Sequence, residues 1–320
     1  MRISKVLKIL KKTEKWPEKL FRTVLAMITV MSFCFPAESS IRESLELHIT
    51  DDIGERIVLD AAASRIVSLY AGHTENLIAL GAKGAIVAIG HETGDLGLSV
   101  PVLGQRPGIE QIAALRPDVV LTRPMMARSQ EPLYGALKAM GIRVIAFDPP
   151  TWDEFPEYIE TLRKIVGGEV PKDLTIVMAE PDDETGRKLS VFLVTNGRTM
   201  ATCTEDSWAA HILKLAGFRN AAIGAIPVAQ GSVVAGFGAE RLLASGDDID
   251  VILLQQGAMN TTKAMDFKRD PRFASLRAVR EGMVFDVPEA DISRPSLLRF
   301  ENGVVNSLRE MVRVEGRFDE

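Results

Sequence analysis

Cysteine is nearly missing, with two in 320 residues. That excludes a disulfide framework, so an apolar core has to hold the chain together. Histidine is scarce as well. His48, His73, His91 and His211 are scattered, and no H-E-x-x-H or C-x-x-C occurs, so there is no metal-ligand motif. Neither G-x-x-x-x-G-K-[ST] nor a strand followed by G-x-G-x-x-G is found, and G-x-S-x-G is absent too. The common phosphate-cradling and hydrolase signatures are therefore lacking. Positive charge is not in excess: 38 Lys and Arg stand against 43 Asp and Glu, net −5, without the basic footprint of a nucleic-acid binder. The apolar run Val24–Phe35 is too short to cross ~30 Å of hydrocarbon at 1.5 Å per residue. What remains, 46% hydrophobic and 25% charged, is ordinary globular composition for one large domain or two smaller ones.

The N-terminal stretch is set apart from the fold. Eight basic residues precede Val24, Pro36 closes the apolar run, and Ala37-Glu38-Ser39 offers small side chains at the positions a signal peptidase reads. Residues 1–39 are thus expected to be a signal peptide for secretion, an uncleaved amphipathic anchor being the alternative. A lipid anchor on Cys34 is not expected, because Phe33 stands where the lipid-transfer motif wants Gly or Ala. Cleavage after Ser39 would remove eight basic and three acidic residues, leaving 30 and 40, a net charge of −10, with Cys203 as the single thiol. That thiol is expected to be a buried small hydrophobe.

Beyond residue 40, short β-branched runs alternate with helical patterns, which predicts an α/β fold with parallel sheets. A strand pair at 40–60 (Leu45–Ile49 and Arg56–Leu59) leads into a first lobe at 61–150. Its strands are expected at Arg65–Leu69, Ala85–Ile89, Asp118–Thr122 and Arg143–Phe147, with helices at Glu75–Leu80, Ile109–Leu115 and Glu131–Met140. A second lobe at 189–320 has strands at Ser190–Val194, Asp250–Leu254 and Met283–Val287, and helices at Trp208–Ala216, Glu240–Ala244 and Pro295–Val312. Between them, at 151–188, Phe155, Tyr158, Ile159, Leu162, Ile165 and Val166 recur at helical spacing. Gly167-Gly168 and Pro171 stop or kink that interdomain helix. Two stretches repeat across the lobes. GIEQIAALRPDVVLT from Gly108 is matched by GAERLLASGDDIDVILL from Gly238, and Glu75–Ala82 by His211–Gly217. The repeat predicts two Rossmann-like lobes of one plan, with a ligand cleft between them.

In open α/β sheets, ligands bind beyond the carboxyl ends of the strands. That rule selects Tyr70, His73 and Thr74, then His91, Glu92 and Asp95, then Arg106, Arg123 and Asp148. In the second lobe it selects Asn196, Arg198, Gln230, Gln255 and Gln256, with Arg294 ahead of the last helix. Tyr, His and Arg beside Met125, Met126 and Phe147 suit a bulky ligand with apolar faces and anionic groups, since Arg presents a fork of donors that matches carboxylates. Plainer roles compete: His73-Thr74-Glu75 as a helix start, and the arginines in salt bridges. Glu110 and Glu240 each occupy the first turn of a helix, where the dipole favours an acid. The same acid at the same place in both lobes would also make a two-point dock for a two-fold symmetric basic partner.

SLYAGHTENLIALGA (Ser68–Ala82), Gly104-Gln105-Arg106 leading into GIEQIAALRPDVV, and Ser293-Arg294-Pro295 carry a resemblance. Over about residues 62–312 the chain resembles the class III periplasmic substrate-binding proteins of ABC importers. The resemblance implies two lobes joined by a rigid interdomain helix, no enzymatic activity, and no intrinsic cofactor or metal. The implied cargo is a small-molecule metal chelate: a ferric siderophore, haem or cobalamin. It also implies a monomer that hands this cargo to ABC permease membrane subunits driven by their ATPase, with no nucleic acid involved. Glu110 and Glu240 match the glutamates that pair with permease arginines. Arg106 matches an arginine that contacts siderophore in ferric-hydroxamate members. Tyr70 and Tyr134 are candidates for the tyrosine that ligates haem iron, though neither matches its position. The rivals are an exported tetrapyrrole- or metal-handling enzyme on the same scaffold, and a free metal-ion carrier built on His73, His91 and nearby acids.

Overall fold

An aspartate stands just before a strand that pairs with the first strand of each lobe's parallel sheet, and in the computed structural model both do the same work. Asp118 Oδ2 accepts the Ser64 and Arg65 amides at 2.7 and 2.9 Å, and Asp250 Oδ2 accepts the Ser190 amide at 2.8 Å. Each carboxylate pins the start of the neighbouring first strand, which fixes the parallel register. The structure describes residues 46–168, 188–301 and 303–315. The expected signal segment, Cys34, Pro171 and all but Lys188 of the acidic stretch 169–188 lie outside them.

The first lobe holds strands β3 (Ile66–Ser68), β4 (Ile86–Gly90), β5 (Val102–Leu103), β6 (Val119–Thr122) and β7 (Arg143–Ala146). They form one parallel sheet in the order β5-β4-β3-β6-β7. The second lobe holds β8 (Ser190–Val194), β10 (Arg219–Asn220), β13 (Val251–Gln256) and β14 (Val284–Pro288), parallel in the order β10-β8-β13-β14. The strand order of each sheet reverses at its first strand, so both have a switch point at the same topological position. A hairpin of β1 (Leu47–Thr50) and β2 (Arg56–Leu59) precedes the first sheet. A small antiparallel sheet of β11 (Ile226–Pro227), β12 (Val234–Gly236) and β9 (Thr202–Cys203) stands beside the second. Its strands and β5 are too short to leave an apolar period in the sequence.

The helices are α1 (Ala71–Ala79), α2 (Ile109–Ala113), α3 (Pro124–Ser129), α4 (Glu131–Ala139), α5 (Phe155–Val166), α6 (Trp208–Leu215), α7 (Ala239–Ala244), α8 (Ala264–Arg269), α9 (Arg277–Arg280), α10 (Glu289–Ile292), α11 (Leu297–Glu301) and α12 (Val304–Glu315). The second sequence repeat is α1 against α6. Both end on a left-handed glycine, Gly81 at φ +76° and Gly217 at φ +81°, the backbone state only glycine enters freely. Two expectations are corrected. The helix expected from Glu75 begins at Ala71, a full turn earlier. The expected Pro295–Val312 helix is two, α11 and α12, divided near Gly303 at φ +75°. The described part of the interdomain helix ends at Gly167, at φ +64°, and packs on α1 and β1.

Alternation along the first-lobe strands sorts their side chains into two layers. Val67, Ala88, Val120, Val144 and Ala146 pack with Ile112 of α2 and Leu137 of α4. Ile66, Val119, Leu121 and Ile145 point the other way. They join Leu77, Phe155 and Leu162 in a core that runs without a break into Val191–Val194 and Val251–Leu254 of the second lobe. No described helix is long and apolar enough to cross a membrane.

Candidate functional site

Beyond the carboxyl ends of β3, β4 and β6 lies a hollow partly open to solvent. Its walls are Leu69 and Tyr70, then Gly90–Glu92, Gln105 and Pro107, and Arg123 with Met125 and Met126. Two glycines shape it. A Cβ on Gly90 would stand 2.5 Å from the Leu69 carbonyl oxygen, so only glycine lets β3 and β4 end side by side. A Cβ on Gly72 would stand 2.5 Å from Cε1 of Tyr70, so glycine lets that ring fold over the start of α1.

On that ring sits Arg123, its Cζ 5.1 Å from the ring centroid. The Arg123 Nε is buried and has no hydrogen-bond partner among the described residues. Burial, helped by the charge of Glu289 and opposed by Arg294 and Arg123, pushes the Tyr70 phenol up to about 12. It therefore stays protonated at neutral pH. A fixed cation beside a protonated hydroxyl can receive an anionic oxygen, and the two methionines offer a soft apolar wall. Tyr134 lies in the floor, its hydroxyl 3.0 Å from Thr122 Oγ1.

His73 does not reach this hollow. Its ring is fully buried, with Nδ1 2.6 Å from the Tyr158 hydroxyl and Nε2 3.2 Å from the Thr122 carbonyl oxygen. A carbonyl only accepts, so Nε2 carries the proton and Nδ1 accepts from Tyr158. Burial lowers its pKa to about 4. The expectation that His73 meets a ligand is corrected: it ties α1 to β6 and α5.

Arg294 and Gln255 are also bound into the fold, although Arg294 Nε, like Arg123 Nε, is buried with no hydrogen-bond partner among the described residues. Glu75 on α1 is fully buried. It takes Arg294 Nη1 at 2.9 Å and Arg299 Nη2 at 2.9 Å, while Arg294 Nη2 also holds Glu289 at 2.7 Å. Burial pushes the Glu75 carboxyl up, but hydrogen bonds from Arg299 and Ser296 and the charge of Arg294 outweigh it, leaving it below the ordinary range. Next to it, Asn76 donates to the Pro295 carbonyl at 3.0 Å and accepts the Leu297 amide at 2.7 Å, capping α11. Gln255 Oε1 accepts the Ser293 hydroxyl at 2.6 Å. Glu75-Asn76 and Ser293-Arg294-Pro295, far apart in sequence, are two halves of one clamp between the lobes.

His91 and Arg106 are exposed. His91 lines the hollow with Nε2 3.9 Å from Glu92 Oε1, and Arg106 stands between two lining residues, Gln105 and Pro107. In the second lobe, Asn196 and Gln256 are tied into loops: Asn196 Nδ2 donates to Met259 O at 3.2 Å, and Gln256 Nε2 to Asp286 Oδ1 at 2.8 Å. Cys203 is buried, and burial pushes its thiol up. Among the described residues, no three His, Cys, Asp or Glu side chains are grouped to hold a metal ion.

A family model described as periplasmic binding protein matches residues 66–290, from the first residue of β3 into α10. The chain belongs to the periplasmic binding protein family. Solved structures carry the same fold. A periplasmic binding protein from Veillonella parvula is 19% identical, covers 85% of this chain and 98% of its own, and superposes with a TM-score of 0.64. An ABC-type Fe3+-hydroxamate transport system protein from Saccharomonospora viridis is 20% identical over 84% and 99%, TM-score 0.59. A periplasmic heme-binding protein of Vibrio cholerae is 17% identical over 78% and 98%, TM-score 0.59. At these identities the likeness is one of fold. No curated protein sequence matches the chain. The two-lobed α/β architecture agrees with the family. Glu110 and Glu240 stand exposed in the first turns of α2 and α7, each directly after a lobe's N-capping glycine and one further residue.

Proposed function

We propose that this periplasmic binding protein is the exported solute-binding component of an ABC importer, that it carries a metal chelate, and that it has no enzymatic activity of its own. The observation that carries the ligand side is the hollow at the switch point of the first sheet, where Arg123 stacks on a protonated Tyr70 beside Met125 and Met126. Such a site suits a cargo with anionic oxygens on an apolar body, as ferric siderophores, haem and cobalamin have. Tyr70, Arg123, His91 and Arg106 are its proposed contacts, and the cargo is the only metal involved. Glu110 and Glu240 are the proposed docking points on the permease subunits, whose ATPase drives release. The carrier acts as a monomer.

The test is a titration of the chain lacking residues 1–39 with haemin, cobalamin and a panel of ferric siderophores. It is followed by fluorescence of Trp152 and Trp208 and by the visible spectrum of each chelate. One-to-one saturable binding to one of them, with a Kd below about 1 µM, is expected. Silence across the panel, or turnover of a chelate, would overturn the reading.

A further inference from the structure

The second lobe displays apolar side chains where its own fold has no use for them. Ile226 is 74% exposed, and Ile223, Val228 and Val233 are each more than half exposed, all on or beside the β11–β12 hairpin. Single exposed apolar residues are normal, but a cluster of this kind marks an interaction surface. The hairpin is fastened to the helix that bears Glu240: Arg241 donates to the carbonyls of Ile223 and Gly224 at 2.9 and 3.2 Å, its guanidinium 4.3 Å from the Phe237 ring centroid. Glu240 and the apolar residues therefore move as one piece. The charged rim is acidic, since Glu205, which accepts the Gly224 amide at 2.6 Å, Asp206 and Glu240 are exposed, while Arg241 is engaged within the patch.

Resting on the carrier reading, we infer that the hairpin and the Glu240 helix form one docking surface, occupied by a permease segment that sets apolar side chains around a basic one. Two features select this occupant. A second copy of the chain would bring the acidic rim against itself. An added strand is disfavoured because β11 is the edge of its sheet and Pro227 has no N–H to offer. The first lobe has less of this kind beside Glu110, with Val102 exposed before α2. Docking is therefore asymmetric, with apolar contact at the second lobe and charge pairing at both.

The experiment places a photo-crosslinking amino acid at position 226, and separately at exposed Ala114, one turn beyond Glu110, in cells producing the full chain. Adducts are identified by peptide mass spectrometry. Position 226 is expected to capture a polytopic permease subunit, and Val228→Gln with Val233→Gln to lower the yield at position 114 by about tenfold, as when apolar contacts at the centre of an interface are lost. Capture from 114 but not from 226, or an unchanged yield, overturns the docking surface and leaves the carrier reading standing. Capture of a second copy from 226 overturns it in favour of self-association. Capture of no membrane protein from either position overturns both.

Discussion

Arg294 offers the sharpest separation between a ligand residue and a structural one. Its guanidinium bridges Glu75, fully buried on α1, and Glu289, and its side chain is 10% exposed. Arg294→Met takes away one of the two cations facing Glu75. Removing one partner of a buried pair costs about 3–5 kcal/mol, most of it from the charge left behind. Arg299 still holds Glu75 with two contacts, at 2.9 and 3.3 Å, and Glu289 is partly exposed and can rehydrate. The low end applies, about 3 kcal/mol. With an unfolding entropy of about 2.1 cal/mol/K per residue, that lowers Tm by about 4–6 °C for a chain of this size. Thermal and urea unfolding of the two proteins measure it, with chelate titration alongside. Stability should fall while affinity stays within a few fold. Unchanged Tm with lost affinity would refute the clamp and return Arg294 to the ligand site.

Two further outcomes are expected. His73 has its pKa lowered to about 4 in the fold, from 6.5 unfolded. Below pH 6.5 the unfolded chain takes up a proton that the folded one refuses, so this contribution is complete above 6.5 and shrinks toward pH 4, by about 3 kcal/mol in all. Urea unfolding at pH 7, 5.5 and 4.5 should show that His73→Gln flattens this slope; an identical slope in both proteins would contradict the buried neutral ring. Glu110→Lys with Glu240→Lys should abolish chelate uptake by cells while leaving affinity intact, since both side chains are exposed and outside the hollow. Lost affinity, or normal uptake, would remove their docking role.

The sequence makes the two-lobe plan legible because the elements that build it are repeated and periodic. Asp118 and Asp250 stand one residue before matching strands, and Gly81 and Gly217 end matching helices, so local chemistry alone marks them. The site is less legible. Tyr70 and Arg123 follow from the rule about strand ends, but their stacking depends on Gly72, whose role is steric and leaves no pattern. His73, Arg294 and Gln255 have the residue types of a ligand site and were drawn in by chemistry alone. His73 is buried where α5 packs on α1, Arg294 where the chain before α11 meets α1, and Gln255 beside Ser293. These contacts join segments as much as 224 residues apart, which no window along the chain can register. The Glu75-Asn76 and Ser293-Arg294-Pro295 motifs are joined only in three dimensions.

That junction limits how the protein can move. Parting the lobes would strip Glu75 of Arg294 and Arg299, break both Asn76 hydrogen bonds, and open the aromatic contacts of Trp152 with Trp208 and Phe300. Once parted, the Glu75 carboxylate and both guanidinium groups are rehydrated, so the ion cluster resists opening by less than the cost of deleting one partner. Each lost hydrogen bond costs about 1 kcal/mol, and the apolar core shared by the two lobes adds its own burial. Micromolar capture of a cargo yields about −8 kcal/mol in total, so a wide hinge movement that opened the shared core would draw on it heavily. Binding with the lobes held at nearly fixed separation is the favourable course, with adjustment confined to the loops at Gly90–Glu92 and Gly104–Pro107. Small-angle scattering of the free and saturated protein should therefore give the same radius of gyration. A clear contraction on saturation would mean that the clamp opens, and that its buried charges are exchanged for other partners in the loaded form.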